Sequence, residues 1–114
     1  MSEDDDLRVV EQFGLACNEH DIDRALSWLT EDCLFESTAP PDGVECRGRG
    51  EIGAAWKEIF DNPSSAFEAE ETFVAGDRVV QRWRYTWGDG HVRGVDVMRM
   101  RDGKIAEKFS YVKG

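Results

Sequence analysis

Leu7, Val10, Phe13 and Cys17 recur at helical spacing, with Ala16 beside them, and so predict an amphipathic helix at the start of the chain. Ser2 followed by Asp5 resembles a capping box, and acidic residues fill the first turn, where the helix dipole favours them. Asn18, Glu19 and His20 break the pattern. Asp21 then reads as the N-cap of a short second helix with the apolar face Ile22, Ala25, Leu26 and Leu29. A short strand is expected around Cys33 to Glu36. After it, Thr38-Ala39-Pro40-Pro41-Asp42-Gly43 must be irregular, because Pro-Pro and Asp-Gly force turns. Beyond Gly50 a third helix carries Ile52, Ala55, Trp56, Ile59 and Phe60, and Asn62-Pro63 stops it.

From Ala66 to Val112 the period changes to two. Ala75-Gly76-Asp77, Gly88-Asp89-Gly90 and Arg101-Asp102-Gly103 interrupt the alternation, which predicts a four-stranded antiparallel meander. Helices first and sheet second make an α+β domain with the helices on one face of the sheet. In the first hairpin a three-residue loop sets Glu70 against Arg82 and Glu68 against Arg84. Phe67, Ala69 and Phe73 then share the reverse face with Val79, Gln81, Trp83, Tyr85 and Trp87. In the last hairpin a turn with a glycine bulge pairs Met100 with Lys104, Met98 with Ala106, Asp96 with Lys108 and Gly94 with Ser110. The rival two-residue turn sets Asp96 against Phe109. In the preferred register Val95, Val97, Phe109 and Tyr111 form an apolar patch on the outer face, which a homodimer partner would cover.

The chain has 114 residues, enough for one domain, here taken as 1–114. Fourteen basic against 24 acidic residues give a net charge of −10, a field that repels nucleic acid and anionic membranes. No apolar run suits a membrane span, and the acidic start is the reverse of a secretion signal, so a cytoplasmic location is expected. Cys17, Cys33 and Cys46 are widely spaced and read as buried, reduced thiols; with only His20 and His91 beside them, no metal site is expected.

Asp96 is the residue that stands out. By alternation it faces the helices with Met98 and Met100. A carboxylate there must be paired, hydrogen-bonded or protonated. Either Lys108 balances it as a cross-strand partner, or it is an acid/base group. The aromatic set Phe13, Trp28, Phe35, Trp56, Phe60, Trp83, Tyr85 and Trp87 is dense for this length and serves as core or as the lining of an apolar cavity. Ser37 and Ser110 have no general base beside them, and His20 and His91 fall in turns. No phosphate-binding glycine motif occurs, and Arg47-Gly48-Arg49-Gly50 only opens the third helix.

The succession of helices, Glu31-Asp32-Cys33, Arg47-Gly48 and Trp56 with Phe60, closing on Arg93-Gly94-Val95-Asp96-Val97-Met98-Arg99, Asp102-Gly103-Lys104-Ile105 and Tyr111, resembles the nuclear transport factor 2-like superfamily in its SnoaL-like branch. The resemblance implies a cone-shaped α+β fold, a curved antiparallel sheet wrapped around three N-terminal helices, with a deep apolar pocket and frequent homodimers. Asp96 falls where ketosteroid isomerase keeps a protonated aspartic acid. That enzyme's general base falls at Ser37 and its tyrosine at Phe13, so both partners are lost. Of the Asp-Arg-Asp set of limonene epoxide hydrolase, one aspartate falls at Ser110, with Gln81 and Trp83 near the other two positions. Two readings follow. One is a cofactor-independent enzyme using Asp96 on a small hydrophobic metabolite held by Phe13, Trp28, Phe35, Ser37, Trp56, Phe60, Gln81, Trp83, Tyr85, Met98, Lys108 and Ser110. The other is a non-catalytic binding or dimerisation module.

Overall fold

The computed structural model describes residues 2–113. Helix α1 spans Glu3–Asn18. Its capping box forms as expected: Asp5 N–H donates to Ser2 Oγ at 3.1 Å, and Ser2 N–H donates to the Asp5 carboxylate at 3.4 Å. Val9, Val10, Phe13 and Ala16 are its buried stripe. Helix α2, Ile22–Ser27, is capped by the Asp21 carboxylate on Arg24 N–H. It is shorter than its apolar pattern suggests, because Leu29 already belongs to strand β1, Leu29–Glu36. Strand β2, Glu45–Arg47, follows the turn-forming loop, and α3 runs over Gly48–Asp61. Arg49 explains the basic tetrapeptide. Its guanidinium donates twice to the Leu29 carbonyl, at 3.2 and 2.6 Å, and ties the start of α3 to β1.

The meander is β3, Ser65–Ala75, β4, Arg78–Trp87, β5, His91–Arg101, and β6, Lys104–Val112. All strands join one open sheet in the order β2-β1-β6-β5-β4-β3. The pairing of β1 with β6 is parallel, so the sheet is antiparallel everywhere except at this seam. The helices pack on one face, where Val10, Leu29, Ile52, Val79, Met98 and Ile105 form the most deeply buried part of the core.

Two registers differ from the alternation-based expectation, for one physical reason. In β3–β4 the turn has two residues, Gly76-Asp77, and Ala75 pairs with Arg78. A bulge at Glu70 then shifts the ladder, so Glu68 faces Arg84 as expected, but Arg82 faces Glu71. The Arg82–Glu71 ion pair is 2.9 Å, while Glu70 turns to Arg93 at 3.0 Å. The bulge also moves Phe73 to the outer face, opposite Val80, where it is half exposed. In β5–β6 the turn is Asp102-Gly103, both with positive φ, the mirror-image geometry suited to a two-residue hairpin. Met100 therefore pairs with Ile105, and Ala106 bulges before Arg99 meets Glu107. Asp96 consequently lies opposite Ser110, and Lys108 opposite Met98; neither Lys108 nor Phe109 is the direct partner of Asp96. The offset from the preferred register is two residues beyond the bulge, so Lys108, Phe109, Ser110 and Tyr111 keep their faces, whereas Ile105, expected on the outer face, turns inward opposite Met100 and is fully buried. Val95 opposite Tyr111 and Val97 opposite Phe109 form the outer patch.

The end of α1 reaches over to β3. Asn18 donates from Nδ2 to the Phe67 carbonyl at 2.8 Å and accepts from Phe67 N–H at 2.7 Å. His20, at φ 58, bonds the Ser65 carbonyl through Nε2 at 2.7 Å. The residues that break the helical pattern thus fasten α1 over the concave face.

Gly94 sits where the sheet allows no side chain. A Cβ there would come within 2.5 Å of the Trp83 ring and would also collide with the Tyr111 carbonyl. Gly14, inside α1, has nothing within 4 Å of such an atom. Gly94→Ala is therefore expected to destabilise the fold by about 1–3 kcal/mol. Gly14→Ala is expected to be stabilising by about 0.5–1 kcal/mol. Urea denaturation of both variants reads the contrast, and equal midpoints would contradict this packing.

Candidate functional site

On the concave face a row of polar side chains interrupts the apolar surface. Thr72, Gln81, Asp96 and Ser110 lie side by side on four adjacent strands, β3 to β6. Gln81 Nε2 donates to Thr72 Oγ1 at 3.1 Å. Ser110 Oγ donates to Asp96 Oδ1 at 2.6 Å, and Lys108 Nζ approaches Asp96 Oδ2 at 3.1 Å. Lys108 Nζ also donates to Ser110 Oγ at 3.2 Å, which closes a three-membered set. The Lys108 and Asp96 side chains are 13% and 9% exposed, so the pair is almost dry. The ammonium lies over the rings of Phe35 and Trp56, 5.1 and 5.5 Å from their centroids, a cation–π arrangement. Both carboxylate oxygens of Asp96 are therefore engaged, and the inward aim expected from alternation is met although the register differs.

Two aromatic groups flank this row. The first gathers around Trp56, with Phe13 at 5.7 Å, Phe35 at 5.3 Å and Phe60 at 6.1 Å between centroids, and all four residues are buried. The second lies toward the far end of β3 and β4. Phe67 stacks on Tyr85 at 4.6 Å and meets Trp83 edge-on at 5.9 Å, and Tyr85 tilts against Trp87 at 5.6 Å. Phe67 and Tyr85 are partly exposed and Trp87 is 37% exposed, while Trp83 is buried.

The structure brings Phe13, Phe35, Trp56, Phe60, Lys108 and Ser110 together with Asp96, and it extends the same face through Gln81, Trp83 and Tyr85. Met98 is core, 1% exposed, one step along β5. One expected lining residue serves elsewhere. Ser37 Oγ accepts from the amides of Ala39 and Val44 and closes the loop between β1 and β2. Trp28 ends α2, its carbonyl accepts from Ile105 N–H, and its side chain packs partly buried against the core. Sequence reasoning missed Cys17, whose thiol is pushed up to about 12, first by burial and then, with opposite signs, by the charges of Lys108 and Asp96 beside it. Burial likewise pushes the Cys33 thiol up to about 11, so the inward thiols are not nucleophiles near neutral pH. It also missed Thr72, which only the bulge at Glu70 places on this face, and it left Phe67 out of the lining although it set that ring on the face of Trp83 and Tyr85. Two surface clefts lie away from Asp96, one on α3 beside Lys57 and Asp61, and one on the outer face between Arg82, Arg93, Val95 and Tyr111. Among the described residues no group of His, Cys, Asp and Glu is placed to hold a metal ion, and no helix is long and apolar enough to cross a membrane.

A buried charge left without its partner is expensive, whereas the pair as a whole is replaceable by apolar groups. Asp96→Asn is thus expected to destabilise the fold by about 3–5 kcal/mol, and Asp96→Leu combined with Lys108→Met by less than either charge removal alone. A double-mutant cycle in urea tests this; additive losses would show that the two groups do not depend on each other.

Comparison with known proteins agrees with this architecture. A nuclear transport factor 2-like protein of unknown function from Mesorhizobium loti is 40% identical, with 98% of this chain and 93% of that one covered and a TM-score of 0.88. A putative ketosteroid isomerase from Kribbella flavida shares the fold at 15% identity and TM-score 0.86, over 98% and 80% of the two chains. A computationally designed 17-OHP binder shares it at 23% identity and TM-score 0.82, over 96% and 91%. No curated protein sequence matches the chain. The SnoaL-like domain family matches residues 10–108, and with the fold and the 40% identical relative this establishes that the chain belongs to the SnoaL-like domain family, of nuclear transport factor 2-like fold.

Proposed function

We propose that this domain binds a small hydrophobic molecule on its concave face, against Phe67, Tyr85 and Trp87 and beside the Asp96 row. The observation that carries the reading is the pair of aromatic groups: one is buried and completes the core, whereas the other leaves rings partly open on the same face. Open aromatic surface flanked by a few fixed polar groups is the composition of a ligand site. The shared fold of a designed 17-OHP binder is consistent with such use.

Acid–base chemistry by Asp96 is the second reading. It draws on the hydrogen-bond chain from Lys108 Nζ through Ser110 Oγ to Asp96 Oδ1, a route along which a proton can move. Binding is favoured because both Asp96 oxygens are held by partners, leaving neither open to a substrate. A ketone with exchangeable α-hydrogens separates the two. 1-Tetralone is expected to bind in isothermal titration with no acceleration of its C2 hydrogen exchange in deuterium oxide, followed by proton NMR. Accelerated exchange that disappears in Ser110→Ala would establish the catalytic reading instead.

The outer patch supports a homodimer, with Val95, Val97, Phe109 and Tyr111 at its centre and Tyr111 52% exposed. The free thiols of Cys17, Cys33 and Cys46 favour the reducing cytoplasm. Phe109→Asp or Val97→Asp is expected to give a monomer in sedimentation velocity where the parent chain is a dimer; an unchanged mass would refute the interface.

A further inference from the structure

Trp83 is flanked on its strand neighbours by the two smallest side chains of the face, Ala69 on β3 and Gly94 on β5. The benzene edge of the indole lies over Gly94, which is why a Cβ there has no room. Phe67 meets the ring edge-on. The residue is 7% exposed, yet its Nε1 has no hydrogen-bond partner. A donor stripped of water and given no acceptor is unfavourable, so native folds leave few of them. The polar neighbours do not serve it. Gln81 donates its Nε2 to Thr72 and its Oε1 makes no bond to the indole, and Asp96 is held by Ser110 and Lys108.

Resting on the ligand-site reading above, we propose that the Trp83 indole N–H anchors the ligand, a neutral molecule with a flat apolar body and a carbonyl oxygen that accepts this hydrogen bond. The flat body follows from the Phe67 ring that meets the indole edge-on and the Tyr85 ring stacked on Phe67, both partly open. Neutrality follows from charge balance: Asp96 already compensates Lys108, and the chain as a whole carries −10, which opposes an anion. An N–H with no charge of its own suits a ketone or ester oxygen, because each partner satisfies the other without a counterion.

1-Tetralone and tetralin, which differ only by the carbonyl, test the anchor. The ratio of their dissociation constants, tetralin over tetralone, is expected to fall by about tenfold in Trp83→Phe, which keeps a ring but loses the N–H. In nitrogen-15 correlation spectra of the parent chain, the Trp83 indole cross-peak is expected to shift with tetralone and to stay in place with tetralin. This second measurement decides the matter should Trp83→Phe fail to fold. An unchanged ratio, or an indole peak that responds alike to both compounds, overturns the anchor while leaving the ligand site intact. Failure of both compounds to bind the parent chain overturns the ligand site and the anchor together.

Discussion

One dry ion pair constrains the concave face of this domain. Lys108 and Asp96 are each too far out of water to stand alone, so the strands that bear them must meet in a register that lets Nζ reach the carboxylate. They are not direct neighbours across the ladder. Lys108 faces Met98 and Asp96 faces Ser110, and the long lysine side chain spans the diagonal. Ser110 fills the position between them, and the rings of Phe35 and Trp56 shelter the ammonium. The same arrangement leaves the face electrically balanced inside a chain of net charge −10.

The alternation of apolar and polar residues made the inward aim of Asp96 legible, and helix capping made the starts of α1 and α2 legible. What it did not carry is the count of residues between turn and partner. A bulge adds one residue to one strand without disturbing the period on either side, so the pattern reads the same before and after it. At Ala106 the addition, together with the two-residue turn, moved the ladder by two places, sparing the faces from Lys108 onward but turning Ile105 inward. At Glu70 it moved Phe73 outward and brought Thr72 inward, and there the reading failed. Strand β2 is only three residues long and has no period to detect. The parallel seam between β1 and β6 joins segments far apart in sequence, which no local pattern specifies. Ser37 looked like a pocket residue because of its chemistry, but loop closure claims it.

The two aromatic groups, one packed and one partly open, are what the proposed ligand site rests on. Rings buried around Trp56 join the helices to the sheet and make the scaffold rigid. Rings around Tyr85, carried by β3 and β4, lie beyond that packed region and stay partly wet. A superfamily that separates scaffold from site in this way accommodates binders and enzymes on one backbone.

Asn18 has an effect that reaches beyond the single molecule. Strand β3 ends the sheet, and a terminal strand with unpaired amides and carbonyls is a template on which a foreign strand can grow. By bonding both the N–H and the C=O of Phe67, the Asn18 carboxamide mimics the next strand for one residue and occupies that place from within. Together with the kink at Glu70, it makes the free border of this protein a poor seed for cross-β aggregation.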